Sequence, residues 1–365
     1  MVVVLLALLK AAVGWVFFTA DWSAATSNIK LFLVGQYPSE EIWRVNLSVL
    51  IISILAGLSW GVWGGIARNV GIALSLSFGV PALLPFAVES LGLDMRLWLI
   101  ANPVLVAVGY RFARTPIGRP RWLLAAWLLA FFLSLVLLRG FEGNSWLPLV
   151  ETGKWGGLLL TFLLALVGIV ASFPLGVLLA LGRRSSLPVV SLLSTLFIEM
   201  VRGVPLISLL FMTQIIVPLL LPQGFLLDRV LRALAAITLF SAAYMAENVR
   251  GGLQAVPAGQ VEAARALGLS GRHVMIFIVL PQALRAVIPA IVGQFISLFK
   301  DTSLVATVGL LDVVGIGKSI ILGNVKWIGS QREVYVFMAA IYWIFTYSMS
   351  YASHRLEAAL GVRDR

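Results

Sequence analysis

The sequence of 365 residues contains no cysteine and only two histidines, and charged residues make up just 12% of it. Without cysteine, the chain forms neither disulfides nor thiolate metal sites. His273 and His354 lie far apart in the sequence, each beside arginines. A histidine-based metal centre or a catalytic triad therefore has too few members, which argues against an enzyme.

Hydrophobic residues are abundant, at 60% of the chain, and the mean hydropathy is +1.00. A soluble protein of this length has no single core large enough to hide so much apolar surface, whereas a lipid bilayer solvates it. Inside a bilayer, helices satisfy their own backbone hydrogen bonds. The composition therefore predicts an all-α polytopic membrane protein.

The net charge of +11 is a topology signal rather than a sign of nucleic-acid binding. The basic residues sit between apolar runs and do not follow one face of a helix, as a nucleic-acid site requires. Cytoplasmic loops of membrane proteins are enriched in arginine and lysine, which also contact anionic lipids. One side of the membrane therefore receives the arginine clusters at 111–121, 183–184, 250–285 and 355–365.

Apolar stretches long enough to approach or cross a bilayer recur along the chain. They lie at 2–19, 45–65, 70–88, 97–110, 122–138, 155–181, 204–221, 230–249, 286–310 and 335–352. Between them, 187–200 suits an interfacial helix and 311–333 a loop or re-entrant segment. Keeping the arginine clusters on one side requires five crossings after residue 153 and three or five before it. The total is eight or ten.

Lys300 and Asp301 follow fourteen apolar residues that begin at Ala286. At about 1.5 Å per residue, this places both charges roughly 20 Å deep, near the bilayer centre. Charge at that depth is expensive unless it is paired or hydrated. One interpretation is a self-neutralised helix break, with Thr302 and Ser303 bonding the freed backbone. The other is a polar midplane site for a zwitterion such as an amino acid, because such sites occur at broken transporter helices.

Two pairs of opposite charges are three residues apart: Glu199 with Arg202, and Glu247 with Arg250. This spacing places both members on one helix face, where they can pair. Ion pairs that fix helix ends are the simpler interpretation. A gate, or a contact with another subunit, is the alternative.

The triplet Gly317-Lys318-Ser319 resembles the end of a phosphate-binding loop. Such a loop needs a glycine five residues earlier, where this chain has Asp312, and a preceding strand. Neither requirement is met, so the sequence predicts no nucleotide site on this chain.

Residues 262–281 form a polar, basic island between apolar segments, EAARALGLSGRHVMIFIVLP. Ala263, Ala264 and Gly268 leave little bulk on one side, which lets another protein's helix approach closely, and Gly268 can end the helix. The simplest interpretation is a cytoplasmic loop between two membrane helices. The order is more specific, however: Glu262-Ala263-Ala264, three residues, Gly268, nine residues, then Ile-x-Leu-Pro.

This order resembles the EAA loop of bacterial ABC importer permeases, the coupling helix that docks on the ATPase subunit. Further phrases are similar to the polar amino acid family of these permeases, and together they cover roughly 153–355. They are GIVASFPLGVLLALGRRS at 168–185, FIEMVRGVPLI at 197–207, AAYMAENVRGGLQAVPAGQVEAARALGLS at 242–270 and LPQALRAVIPAIVGQFISLFKDTSLV at 280–305. The length and VGQYPSEEIWR at 34–44 resemble the M-type permease subunit of general L-amino acid importers.

The resemblance implies an inner-membrane, multi-pass permease with an N-terminal transmembrane extension at 1–152 and a permease domain at 153–365. That domain has the five-helix core of type I ABC importers and a cytoplasmic coupling loop at 255–285. Glu262, Ala263, Ala264 and Gly268 belong to the coupling helix by this resemblance, and three to five extra helices precede the core.

The implied partners are a second permease in a pseudo-symmetric heterodimer, two ATPase subunits, a periplasmic substrate-binding protein, an amino acid and membrane lipid. ATP and Mg²⁺ then belong to the ATPase, so this chain binds no cofactor and is not itself an enzyme. The function implied is half of the translocation pathway of an ATP-driven amino acid importer. A non-transporting assembly or regulatory membrane subunit is the alternative, and the import direction rests on the resemblance alone.

Overall fold

The computed structural model describes residues 10–11, 13–83, 93–113, 120–222 and 227–359. Within these ranges the regular elements are α-helices with short π- and 3₁₀-segments, and no strand is formed. The all-α prediction is confirmed. The contacts divide the chain into two compact units, Tyr37–Lys154 and Met1–Gln36 together with Trp155–Arg365. The observed boundary at 154/155 lies two residues from the one expected at 152/153, but residues 1–36 belong with the C-terminal unit.

Four long helices lie in the described part of the Tyr37–Lys154 unit. They are α1 (Ile42–Trp63), α2 (Gly65–Leu83), α3 (Leu93–Phe112) and α4 (Pro120–Arg139). Helices α1 and α3 pack backbone against backbone, because a Cβ on Gly57 would strike the Val106 carbonyl oxygen and one on Gly109 the Ile54 carbonyl oxygen. Gly61 likewise faces the Ala113 side chain. Small residues at four-residue spacing allow this close approach.

Eight longer helices of the C-terminal unit lie between residues 157 and 359, in the described part of the chain. They are α5 (Gly157–Arg183), α6 (Pro188–Arg202), α7 (Leu206–Leu220), α8 (Arg229–Ala255), α9 (Ala258–Ala266), α10 (Leu280–Asp301), α11 (Val313–Gly323) and α12 (Gln331–Ala359). Helices α6 and α7 are bent by 104°. The bend falls at Pro205, because proline lacks the N–H that a continuous helix needs.

Helix α10 is longer at its cytoplasmic end than the apolar pattern predicts. A helical turn at Gly271–His273 leads through the π-helix Val274–Val279 directly into α10. From the apolar pattern alone, this crossing was predicted to begin at residue 286, because Arg285 interrupts the apolar run. Arg285 is exposed and interrupts only the hydrophobicity, while the backbone continues as helix.

The segment before residue 37 is helical in part, although it lies between the apolar stretches at 2–19 and 45–65. It contains short helices at Ser23–Thr26 and Ile29–Val34. Ala24, Ala25 and Phe32 are fully buried against α11, α12 and the 3₁₀-helix Val325–Ser330. Burial of these three apolar side chains thus holds the segment to the C-terminal unit.

Seven helices in the described ranges are long and apolar enough to cross a membrane, or eight if the bent α6–α7 pair counts as one span. Five of these belong to the C-terminal unit, α5, α6–α7, α8, α10 and α12, as the five-crossing prediction requires. Three belong to the other unit, α1, α3 and α4, whereas α2 is a shorter apolar helix. The expected span at 2–19 lies mostly outside the described residues, as does the end of the one at 70–88.

Candidate functional site

Helix α9 carries the predicted coupling residues Glu262, Ala263 and Ala264, and Gly268 follows it. The helix closes through hydrogen bonds from the Leu267 amide to the Ala263 carbonyl (3.1 Å) and from the Leu269 amide to the Ala264 carbonyl (3.2 Å). Gly268 has φ of +80°, a left-handed conformation that glycine adopts without steric cost. Glycine therefore ends the helix and turns the chain toward α10.

One side of α9 is packed and the other is free. Ala264 is only 4% exposed and joins the cluster of Val249, Leu253 and Val274 at the end of α8. Four exposed residues of α9 and of the turn after it are here called the α9 surface: Glu262, Ala263, Leu267 and Gly268. Leu267 is 83% exposed, and the sequence analysis did not single it out. An exposed leucine beside small residues forms a compact apolar contact point.

Near the end of α8, Glu247 forms ion pairs with three arginines. Its carboxylate lies 2.7 Å from Arg183 and 2.8 Å from Arg250, with Arg202 at 3.6 Å. Glu199 pairs with Arg183 at 2.9 Å. These five residues, here called the Glu247 network, connect the cytoplasmic ends of α5, α6 and α8.

The predicted pairing within the Glu247 network is half correct. Glu247 and Arg250 pair as their spacing predicts. Glu199 and Arg202 instead bind residues of other helices, because α6 ends beside α5 and α8. Sequence reasoning missed Arg183, which it took only as a topology marker. The Arg202 guanidinium also stacks over the Tyr244 ring at 5.4 Å, a cation–π contact.

The depth of Lys300 follows from the packing of α5 against its neighbours. A Cβ on Gly168 would touch Leu298 of α10 and Ile237 of α8. Gly168 lies eleven residues, roughly 16 Å, from the Gly157 end of α5, which is about 40 Å long. Lys300 is two residues, about 3 Å, closer to that external end. Lys300 therefore lies roughly 13 Å from the external end of a helix about 40 Å long, in its outer half rather than at its middle.

The helix break predicted at Lys300 and Asp301 is present. Helix α10 ends at Asp301, and a 3₁₀-helix continues from Thr302 to Val308. Thr302 is fully buried and donates its hydroxyl to the Phe299 carbonyl (2.7 Å), so it closes the break from within the unit. Lys300 is exposed, and Asp301 and Ser303 are partly exposed. The four predicted pathway residues therefore divide into one structural residue and three that reach the unit's surface.

Asp312 is a fully buried carboxylate that sequence reasoning treated only as a mismatch to a phosphate-binding loop. It caps α11 by accepting hydrogen bonds from the amides of Val314 (3.1 Å) and Gly315 (2.9 Å), and it accepts another from the Tyr342 hydroxyl (3.0 Å). Gly317 lies within α11, and a Cβ there would strike the Met338 side chain. Gly317 thus allows α11 to pack closely against α12. This packing role accounts for the glycine in the triplet that resembles a phosphate-binding loop. No group of three metal-ligating side chains occurs in the described ranges.

A family model, "Binding-protein-dependent transport system inner membrane component", matches residues 172–361. The chain is 37% identical over 366 residues to the inner membrane amino-acid ABC transporter permease protein YhdY of Escherichia coli strain K12, covering 96% of this chain and 84% of that protein. It is also 37% identical to the glutamate/glutamine/aspartate/asparagine transport system permease protein BztC of Rhodobacter capsulatus, covering 93% of this chain and 79% of that one. Both similarities extend over the Tyr37–Lys154 unit.

A crystal structure of an amino acid ABC transporter with histidines is similar in fold, with a TM-score of 0.50 at 29% identity. The similarity covers 55% of this chain but 90% of that one. A chain of little more than half this length thus accommodates the shared fold.

Proposed function

Because the chain belongs to the family of inner membrane components of binding-protein-dependent transport systems, we propose that it couples ATP hydrolysis to amino acid import through α9. Family membership makes the chain a multi-pass transport permease of the bacterial inner membrane rather than an enzyme. The amino acid class is supported by similarity to two amino acid permeases over most of the chain. The proposal adds the route of coupling and the partners.

The observation that carries the proposal is the free surface on α9. Ala264 anchors the helix to the cytoplasmic ends of the spans, while Ala263, Leu267 and Gly268 remain exposed. Small exposed residues allow close approach by another protein, and Leu267 supplies apolar area to bury on docking. A pair of ATPase subunits is the proposed partner, with ATP and Mg²⁺ bound there and not on this chain.

The remaining proposed partners follow from the same role. A second permease completes the pathway as a heterodimer, and a periplasmic binding protein delivers the amino acid. Lys300 and Asp301 contribute a cation and an anion within the membrane span, which complement the carboxylate and ammonium of a zwitterion. A non-transporting assembly or regulatory subunit is the second candidate, because a self-neutralised break also explains adjacent opposite charges.

The coupling route is tested in proteoliposomes that contain this chain, its partner permease and the ATPase, with binding protein and labelled amino acids supplied. Gly268→Trp is compared with Gly143→Trp. Both glycines have positive φ (+80° and +72°) and open space around them, but Gly143 lies between α4 and α5, one membrane crossing away from the arginine cluster at 183–184. Because only Gly268 belongs to the α9 surface, we expect Gly268→Trp alone to abolish uptake. The same variant should also prevent the ATPase from being recovered with the purified complex. Equal uptake by both variants refutes the coupling role of α9.

The translocation role is tested by reversing one charge. Lys300→Glu is expected to abolish uptake while the complex still assembles and hydrolyses ATP, because only the pathway is altered. Lys154→Glu, at an exposed position between the spans, is the matched control. Wild-type uptake by Lys300→Glu favours the assembly or regulatory subunit instead.

A further inference from the structure

An apolar groove of about 450 Å³ lies on the C-terminal unit between α5 and α10. It uses one face of each helix, and its lining is entirely aliphatic or aromatic. The lining residues are Ile169, Val170 and Phe173 of α5, and Leu284, Ile288, Ile291, Val292 and Phe295 of α10. A groove with this lining excludes polar solutes and accommodates a hydrophobic group.

Both helices contain a proline beside the groove, which explains why close packing is interrupted there. Pro174 lies inside α5 and Pro289 inside α10. Each lacks the N–H that would bond the carbonyl four residues earlier, at Val170 and Arg285, and interior prolines bend helices. Two such positions at one helix crossing leave space that straight helices would close.

The length of the groove along α10 is about the thickness of one membrane leaflet. From Leu284 to Phe295, α10 rises roughly 16 Å, which is about half of a 30 Å hydrocarbon core. Its outer end lies three residues before Leu298, which packs near the middle of α5. Its inner end lies beside Gly252, close to the Glu247 network, because a Cβ on Gly252 would touch Ala283 and Val287. The groove therefore spans the cytoplasmic leaflet.

The size of the groove suits a hydrocarbon chain. Its volume of about 450 Å³ over a length of roughly 16 Å leaves room for one extended acyl chain. An α-helix with its side chains is about 10–12 Å across and occupies more than twice that volume over the same length.

Arg285 provides a cation at the cytoplasmic mouth of the groove. It is exposed and makes no hydrogen bond or ion pair with the residues that the structure describes. It lies two helical turns before Val292 on the same face, and helical side chains lean toward the N-terminus, here the cytoplasmic side. A long arginine in this position reaches the headgroup region while its stem covers apolar surface.

We propose that this groove binds one acyl chain of an anionic phospholipid from the cytoplasmic leaflet, with Arg285 at the lipid phosphate. The lipid fills the space beside the prolines, and its phosphate pairs with Arg285 at the groove's mouth. The site depends on the membrane embedding of α5 and α10 and not on the coupling route through α9. Failure of either proposal is therefore visible without failure of the other.

The test measures lipid retained by the purified transporter complex in native mass spectrometry after reconstitution with phosphatidylglycerol and phosphatidylcholine. Arg285→Gln should reduce retained phosphatidylglycerol about fivefold, since a basic residue near the membrane surface contributes ~1 kcal/mol to anionic lipid binding. Val292→Trp should remove both lipids from the site, because the indole fills the groove. Arg272→Gln is the matched control, an exposed arginine before α10 and outside the lining.

A photoreactive benzoylphenylalanine at position 292 identifies the occupant directly. An adduct with the mass of a phospholipid supports the proposal, and its yield should fall in the Arg285→Gln background. An adduct with another protein chain refutes it and assigns the groove to a subunit interface. Unchanged phosphatidylglycerol retention in both Arg285→Gln and Val292→Trp, in complexes that elute normally by size exclusion, also refutes it.

Discussion

Replacing Glu247 by glutamine should destabilise the cytoplasmic end of the C-terminal unit more than any other single charge removal in the Glu247 network. The change is isosteric, so the loss is electrostatic. Glu247 has a side chain only 15% exposed and lies within 3.0 Å of two arginines and 3.6 Å from Arg202. Without the carboxylate, three arginines from three helices lie close together and lose the negative charge that Glu247 provides.

The magnitude follows from the burial of the partners. A hydrogen bond to a charged group contributes about 1.5–3 kcal/mol, and losing one member of a buried pair costs about 3–5 kcal/mol. The arginines are 26–35% exposed, so water screens part of this loss. We therefore expect Glu247→Gln to lower the free energy of unfolding by roughly 2–3 kcal/mol. Glu199→Gln removes one contact from a side chain that is 54% exposed, and should cost about 0.2–1 kcal/mol.

The assay is thermal unfolding of the purified complex, monitored through thiol labelling of a single introduced cysteine. The chain has no native cysteine, so the label reports one position. Glu247→Gln should lower the midpoint by several degrees, and Glu199→Gln by about one degree or less. The double variant Arg183→Gln/Glu247→Gln should cost less than the sum of its single variants, because both remove the same 2.7 Å pair. Equal shifts for Glu199→Gln and Glu247→Gln would refute the assignment of Glu247 as the centre.

Two further changes test the packing. Gly57→Val should separate α1 from α3 and prevent stable expression of the protein, because a Cβ there strikes the Val106 backbone; Gly79→Ala, whose Cβ would make an ordinary 3.5 Å contact with Pro103, should express normally. Asp312→Ala should lower the free energy of unfolding by about 1–3 kcal/mol, since buried α11 amides and the Tyr342 hydroxyl lose their acceptor. A wild-type melting midpoint for Asp312→Ala would contradict the capping role.

Local patterns in the sequence predicted the helices, the break at Lys300 and the helix end at Gly268, because each depends on neighbouring residues. The apolar run before Lys300 and the glycine after α9 needed no tertiary information. The role of Arg183 was not predictable, since its partners Glu199 and Glu247 lie on other helices. The buried hydrogen-bonding role of Asp312 was missed for a similar reason. One of its partners, the Tyr342 hydroxyl, lies thirty positions later in the sequence.

The continuity of α10 joins the two ends of the proposed transport mechanism. From Gly271 to Asp301 the helical backbone has no turn or loop, so about 46 Å of helix connects the segment after α9 with the break at Lys300. If ATPase closure moves α9, the displacement reaches Lys300 along this helix, softened only at the π-helix Val274–Val279 and at Pro289. Hydrolysis shifts the transport equilibrium only if ATPase contacts differ between the two conformations. In the proposed coupling route this difference in contact arises at the α9 surface, since Ala264 packs against α8 and the next turn leads into α10.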